Sequence, residues 1–497
     1  MKNKAFKRTI SALVVFVLTL SLFNITSFAA GEEALIFALN SDETGYAVAG
    51  CDQTIAGEIV VPKEHNDLPV TEVSMAAFFG CTGITSVKLP DTITAIGDYA
   101  FFNCTNLSEI NIPDSVTVTG NMAFYQTAYY NNKDNWKNGV LYIDNHIVYA
   151  DTSVSGNLKI KDGTKTIIAN AFKDCRNITS VEIPSSLKHI SDAAFYGCSN
   201  LTSITISDGV ETIGNKAFEG CKKVSLIVIP DSVLSIGNRA FHNCTSATDI
   251  TLGNKVTEIG QSAFYGCNKV TYIYIPDSVV KIDTAAFAFC ENLDYISFGK
   301  GLSTIGEQAF FGCKLSNLRI PNTVTEIENE AFAQCYIENL VIDKSVKKIG
   351  YNAFNYNKEL STVEFKGTPE SVGSACFAEC DNLDTVIFNT FAIKNLEDYI
   401  TFNSIETVTS TSSGFVGTGN IVTVTPQGLQ PYDFTCVVRN DVNGDGVADV
   451  LDAAYVALCI NDLKEPDDIE KLAIDSNQDD EIDVMDYQQL INIILEA

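Results

Sequence analysis

A block of 23 residues repeats through most of this chain, and that period limits what the chain can fold into. Residues 201–223 read LTSITISDGVETIGNKAFEGCKK, and residues 224–246 repeat the same grammar as VSLIVIPDSVLSIGNRAFHNCTS. A branched apolar residue opens the unit, with two more at the fourth and sixth places. Val stands at the tenth place, Ile-Gly at the thirteenth and fourteenth, and Ala-Phe at the seventeenth and eighteenth, with Cys three residues after the Phe. The Phe recurs at Phe78, Phe101, Phe124, Phe172, Phe195, Phe218, Phe241, Phe264, Phe287, Phe310, Phe332, Phe354 and Phe377. Most steps are 23 residues, two are 22 and one is 48. A period in that range predicts a solenoid, because one coil cannot bury its apolar face without neighbours on both sides.

Alternation at Leu201, Ile204 and Ile206 predicts a short strand with one inward face. Ile213, Ala217 and Phe218 fill the interior from the opposite side of the coil, and Gly214 marks a backbone position barred to larger residues. The Cys of each unit falls into a column: 81, 104, 175, 198, 221, 244, 267, 290, 313, 335 and 380, with Thr127 and Asn357 in its place in two coils. Coils stack about 4.8 Å apart, so the column reads as a buried ladder of free thiols. Disulfides between neighbours and a string of metal sites are the alternatives, and neither explains Thr or Asn in the column.

The units resemble leucine-rich repeats of the bacterial surface-antigen type. Residues 275–290 follow that family's I-P-x-S-V-x-x-I-G-x-x-A-F-x-x-C consensus closely. The resemblance implies a β-rich solenoid of short parallel strands over residues 76–390, with residues 31–75 as an atypical capping coil. It says little about function. On the strands, the third and fifth places point away from the buried fourth and sixth. Leu226, Val228, Tyr272, Tyr274 and Tyr295 occupy such outward places and read as an amphipathic patch for a ligand; ordinary strand propensity of Tyr is the plainer reading.

The 48-residue step holds an insertion at about residues 128–156, with a hairpin expected around Asp144-Asn145. Trp136, the one tryptophan, lies there among Tyr129, Tyr130 and several Asn. Such a group either binds sugar or packs on the flank of the solenoid. No catalytic set emerges: the four histidines stand at unrelated phases of the repeat, and no hydrolase, zinc-protease or phosphate-loop motif is present. A non-enzyme is expected. The alternative is a polysaccharide-active enzyme with an unrecognised site in the insertion or the Tyr-bearing coils.

Residues 1–29 read as an export signal: Lys2, Lys4, Lys7 and Arg8 precede an apolar run, and Ser27-Phe28-Ala29 fits a small-x-small cleavage site. The run is shorter than a full membrane span, so a secreted protein with no span after cleavage is expected. A net charge of −29 disfavours nucleic acid and anionic membrane as partners. Residues 391–439 read as a linker with a small β segment.

Residues 440–497 hold 16 carboxylates against 2 lysines. Asp441, Asn443, Asp445, Asp449 and Asp452 stand at places 1, 3, 5, 9 and 12 of an EF-hand-type loop, with Gly446 at its sharp turn and the Val447 carbonyl at place 7. Asp475, Asn477, Asp479, Asp483 and Asp486 repeat the arrangement with Glu481 at place 7, but Asp480 replaces the glycine. Two calcium ions are expected, the second in the weaker site; a solvated acidic tail is the alternative. The two loop-plus-helix halves resemble the dockerin module. That resemblance implies a small α-helical domain binding a cohesin on an extracellular polysaccharide-degrading scaffold. It implies selectivity at Val450, Leu451, Val484 and Met485, where many dockerins carry hydroxyl residues.

Overall fold

The computed structural model describes residues 34–367, 369–383 and 385–388, and the strands Ile405–Ser410, Ile421–Pro426 and Tyr432–Val438. The leader at 1–29 and the acidic module at 440–497 lie outside the described residues. The chain divides into two compact units, residues 1–148 and 149–497.

In the first unit, Leu35–Leu39 runs antiparallel to Tyr46–Cys51, which pairs in parallel with Leu68–Val73. Ala95–Ile96 and Val118–Thr119 then extend the same strip in parallel. A second parallel strip contains Gly57–Val60, Ile84–Lys88 and Glu109–Ile110. The inserted piece opens with a helical turn, Ala128–Asn131, whose N-cap Thr127 accepts a hydrogen bond from the Tyr130 N–H. It continues into Trp136–Lys137, antiparallel to Val140–Ile143.

The second unit repeats the two-strip plan at greater length. Nine two-residue strands, from His189–Ile190 to Ser371–Val372, form one continuous parallel sheet. The other strip runs from Ser155–Lys159 through pairs such as Leu226–Val228 with Asp249–Thr251 to Thr385–Phe388. There Tyr432–Val438 adds in parallel, and Ile421–Pro426 and Ile405–Ser410 follow antiparallel. The last coil therefore passes its open strand edge to a three-stranded addition.

Between the strips lies the core. The column Phe rings stack face to face, Phe78–Phe101–Phe124 in the first unit. In the second unit the stack runs from Phe172 to Phe377, with centroids 5.0–5.5 Å apart and planes within 11° of parallel. That spacing slightly exceeds the roughly 4.8 Å between paired strands and lies within the range of favourable offset stacking. Each ring is tied to its neighbours through the backbone too: the Phe241 N–H donates to the Ala263 carbonyl at 2.8 Å, and Phe264 to Ala286 at 2.8 Å.

Two residues per coil adopt left-handed backbone, one before Ala-Phe and one before Cys. Lys216 (φ 58°) and Gly220 (φ 77°) show the pair, and the second place takes Gly in several coils because a side chain is strained there. The glycine of Ile-Gly serves a different need. A Cβ on Gly237 would stand 2.7 Å from the Asn215 nitrogen of the preceding coil, so glycine permits the close approach.

Removing one ring from the middle of the stack leaves a cavity between two intact neighbours. Phe264→Ala should cost about 3–5 kcal/mol, read as a lowered urea midpoint for the repeat array. A loss below about 1 kcal/mol would contradict the stacked core.

Candidate functional site

Two features invite chemistry, the Cys column inside and the strand face outside. The column is buried throughout the described residues, and its thiols are free. Each has a defined partner. Cys244 Sγ donates to the Phe218 carbonyl at 3.5 Å, Cys290 to Phe264 at 3.4 Å and Cys313 to Phe287 at 3.2 Å. The same Phe carbonyl also accepts the Cys N–H of its own coil, as in Cys221 N–H to Phe218 at 3.2 Å. The column is thus a line of hydrogen-bond donors aimed at Phe carbonyls. This accounts for its two substitutions: Asn357 Nδ2 donates to the Phe332 and Phe354 carbonyls at 2.9 and 2.7 Å, and Thr127 Oγ1 to the Phe124 carbonyl at 3.0 Å.

Burial pushes the thiols of Cys104, Cys175, Cys290, Cys335 and Cys380 up to about 12, and those of Cys221, Cys244, Cys267 and Cys313 well above the usual range. They stay protonated at neutral pH, which makes them poor nucleophiles and poor metal ligands. Among the described residues no cluster of His, Cys, Asp or Glu is placed to hold a metal ion.

On the strand face, Leu226, Val228, Tyr272, Tyr274 and Tyr295 are all exposed, between 41% and 58%. They do not form one patch. Leu226 pairs with Asp249 and Val228 with Thr251, so a polar coil separates the aliphatic pair from the tyrosines. Coils stack in sequence order, and residues two coils apart stand nearly 10 Å from each other at about 4.8 Å per coil. The compact feature is the tyrosine trio. Tyr272 and Tyr295 stack with centroids 5.5 Å apart and planes 9° from parallel, while Tyr274 lies opposite Ser297.

Trp136 belongs to the other unit and is engaged internally. Its Nε1 donates to the Tyr130 carbonyl at 2.8 Å, its ring meets Tyr130 edge-on, and Lys133 Nζ sits 4.6 Å over it.

One cluster has no motif to announce it. Arg239 Nη2 donates to Glu219 Oε1 at 2.6 Å, and His242 stacks on Tyr265 at 4.6 Å. Burial, and then the Arg239 charge, lower the His242 imidazole to about 4. Glu219, His242 and Tyr265 each directly follow a column Phe, so the repeat phase alone could have aligned them.

The model for the BspA type leucine-rich repeat region matches in overlapping stretches that together run from residue 64 to 414. The chain belongs to that family. A Dockerin type I domain matches residues 439–495, which contain all twelve expected calcium positions and all four cohesin positions. Dockerin type I domains bind calcium, and a dockerin implies a cohesin partner.

The repeat protein is similar to solved bacterial structures. A leucine-rich repeat protein from Bacteroides ovatus is 22% identical over 73% of this chain and 94% of its own, with a TM-score of 0.36. A leucine rich cell surface protein from Faecalibacterium prausnitzii is 26% identical over 69% and 96%, with a TM-score of 0.32. A leucine-rich repeat protein from Eubacterium ventriosum is 21% identical over 61% and 93%, with a TM-score of 0.33. No curated protein matches the chain. Among the described residues no helix is long and apolar enough to cross a membrane.

Proposed function

We propose that this is an exported, non-catalytic binding or adhesion protein, docked by its dockerin to a cohesin on an extracellular polysaccharide-degrading scaffold. One observation carries the reading: a single chain joins a repeat array matched over 64–414 to a dockerin matched over 439–495. A dockerin is an attachment device, so the array is the cargo. The array's exposed face offers contact area, with plant polysaccharide, another cell or a protein as the ligand classes. Placement of the described histidines supports a role without turnover. His65 stacks on Phe37, His146 is fully buried, His242 is packed on Tyr265, and His189 Nδ1 meets the Thr212 hydroxyl in the two-residue-strand sheet.

The donor sets fit calcium. Asp441, Asn443, Asp445, Asp449 and Asp452 supply hard oxygens, as do Asp475, Asn477, Asp479, Asp483 and Asp486, with carbonyls from Val447 and Glu481. Two ions bound there offset the mutual repulsion of the carboxylates and couple metal binding to folding of the module. Val450-Leu451 and Val484-Met485 then form two similar apolar faces for a cohesin, each gaining from buried area at roughly 25 cal/mol per Å².

Capture of the full chain by a panel of cohesins should require calcium. Val450→Asp with Leu451→Asp should weaken it in part, because the second face remains, and adding Val484→Asp with Met485→Asp should abolish it. Undiminished capture in excess chelator would sink the docking proposal. For the array, Tyr272→Ala with Tyr274→Ala should reduce capture of the ligand found in a glycan-array and cell-binding screen severalfold, with the unfolding midpoint unchanged. Equal capture would remove the tyrosine trio from the binding surface, and turnover of a captured polysaccharide by the purified chain would overturn the non-catalytic reading.

A further inference from the structure

Cys51 stands outside the 23-residue register. It ends the strand Tyr46–Cys51 in the N-terminal cap, and its Sγ lies 2.9 Å from the Sγ of Cys81, the first member of the column. Nearly every later thiol of the column donates to a Phe carbonyl of the preceding coil, beginning with Cys104 to Phe78 at 2.9 Å. Cys175, which follows the insertion, uses the Asp151 carbonyl instead. Cys81 has no earlier column Phe to meet, because Phe78 is the first of the series. A second thiol fills that place, the one thiol-to-thiol contact recorded among the described residues.

We infer that Cys51 and Cys81 are a disulfide-forming pair, which staples the cap to the first full coil while the rest of the column stays reduced. The end of a solenoid is where this matters. A terminal coil has a neighbour on one side only and opens before the interior coils do. Linking positions 30 residues apart narrows the unfolded ensemble of that end. Both thiols are buried, so a reagent reaches them when this end opens; the hydrogen bond between them holds Cys81 below the ordinary thiol value and Cys51 above it.

The oxidant is a low-molecular-weight disulfide, RSSR. The Cys81 thiolate, favoured by the Cys51 S–H that donates to it, attacks one of its sulfurs, forming Cys81–S–SR and releasing RS⁻. Cys51, as it loses its proton, then attacks the Cys81 sulfur, the second RS⁻ leaves, and the two released thiolates take up the two protons lost by the cysteines. The net change is two cysteine thiols and RSSR to one Cys51–Cys81 bond and two RSH. The later thiols of the column are held against backbone carbonyls and, among the described residues, have no second thiol in contact. An oxidising surrounding comes from the export reading, but the test is made in a defined redox buffer and does not depend on it.

The full chain is equilibrated in oxidised and reduced glutathione, alkylated first in the native and then in the denatured state, and mapped without reduction. The expected result is one linked peptide joining Cys51 to Cys81, with the later column cysteines alkylated only after denaturation. Recovery of Cys51 and Cys81 as free thiols from the fully oxidised mixture would overturn the inference, as would either one linked to a different cysteine. Reduction should also lower the Tm of the wild type by roughly 5 °C and leave Cys51→Ser unmoved. An equal shift in Cys51→Ser would assign the redox-sensitive bond elsewhere and count against the pair.

Discussion

In most coils the carbonyl of the inward Phe accepts the Cys N–H of its own coil and the Cys thiol of the next. Cys244 N–H and Cys267 Sγ share the Phe241 carbonyl in this way. The contact fixes the rise between coils from inside, and the stacked Phe rings occupy the space it leaves. With the rise set, the strands on the two flanking strips pair in register, as Ile236 does with Ile259 and Ile259 with Ile282. The exposed surface is therefore a consequence of the interior. A residue at the third place of a unit points outward because the fourth is committed to the core, and it sits beside the third place of its neighbours.

Much of this could be read from the chain itself. The Phe series located every ring of the stack, and the phase of Tyr272 and Tyr274 about the buried Ile273 put both on the outer face. Gly214 was legible as a position barred to larger residues, although the cause, the Asp192 backbone one coil earlier, needed the fold. The patch was read too generously. Sequence phase showed that Leu226 and Tyr272 point the same way, but Asp249 lies in the coil between them and only the stacking order reveals the separation. Thr127 and Asn357 were legible as polar members of the column, but not their partners: Asn357 donates to the Phe332 carbonyl of the preceding coil as the thiols do, while Thr127 donates to Phe124 of its own coil, and hydrogen-bond direction is not written in a repeat pattern. For Trp136 composition left sugar binding and flank packing both open; which partner its indole N–H takes, the Tyr130 carbonyl, came only from the fold. The calcium and cohesin positions lie outside the described residues, and their reading rests on donor spacing and the dockerin match.

The division of labour follows from these parts. A repeat array holds its surface through a repeated interior and gains area by adding coils, so its outward residues are free to vary with the ligand. Under the proposed function, the dockerin's calcium loops hold its cohesin-facing residues in place without help from the array. Hydrogen exchange on the intact chain, with calcium and with or without a bound cohesin, measures that separation directly. The account predicts new protection confined to residues 439–495, with the amides of the array unchanged. Protection appearing on the strands from Leu226–Val228 to Tyr295–Ser297, or none in the dockerin, would contradict it.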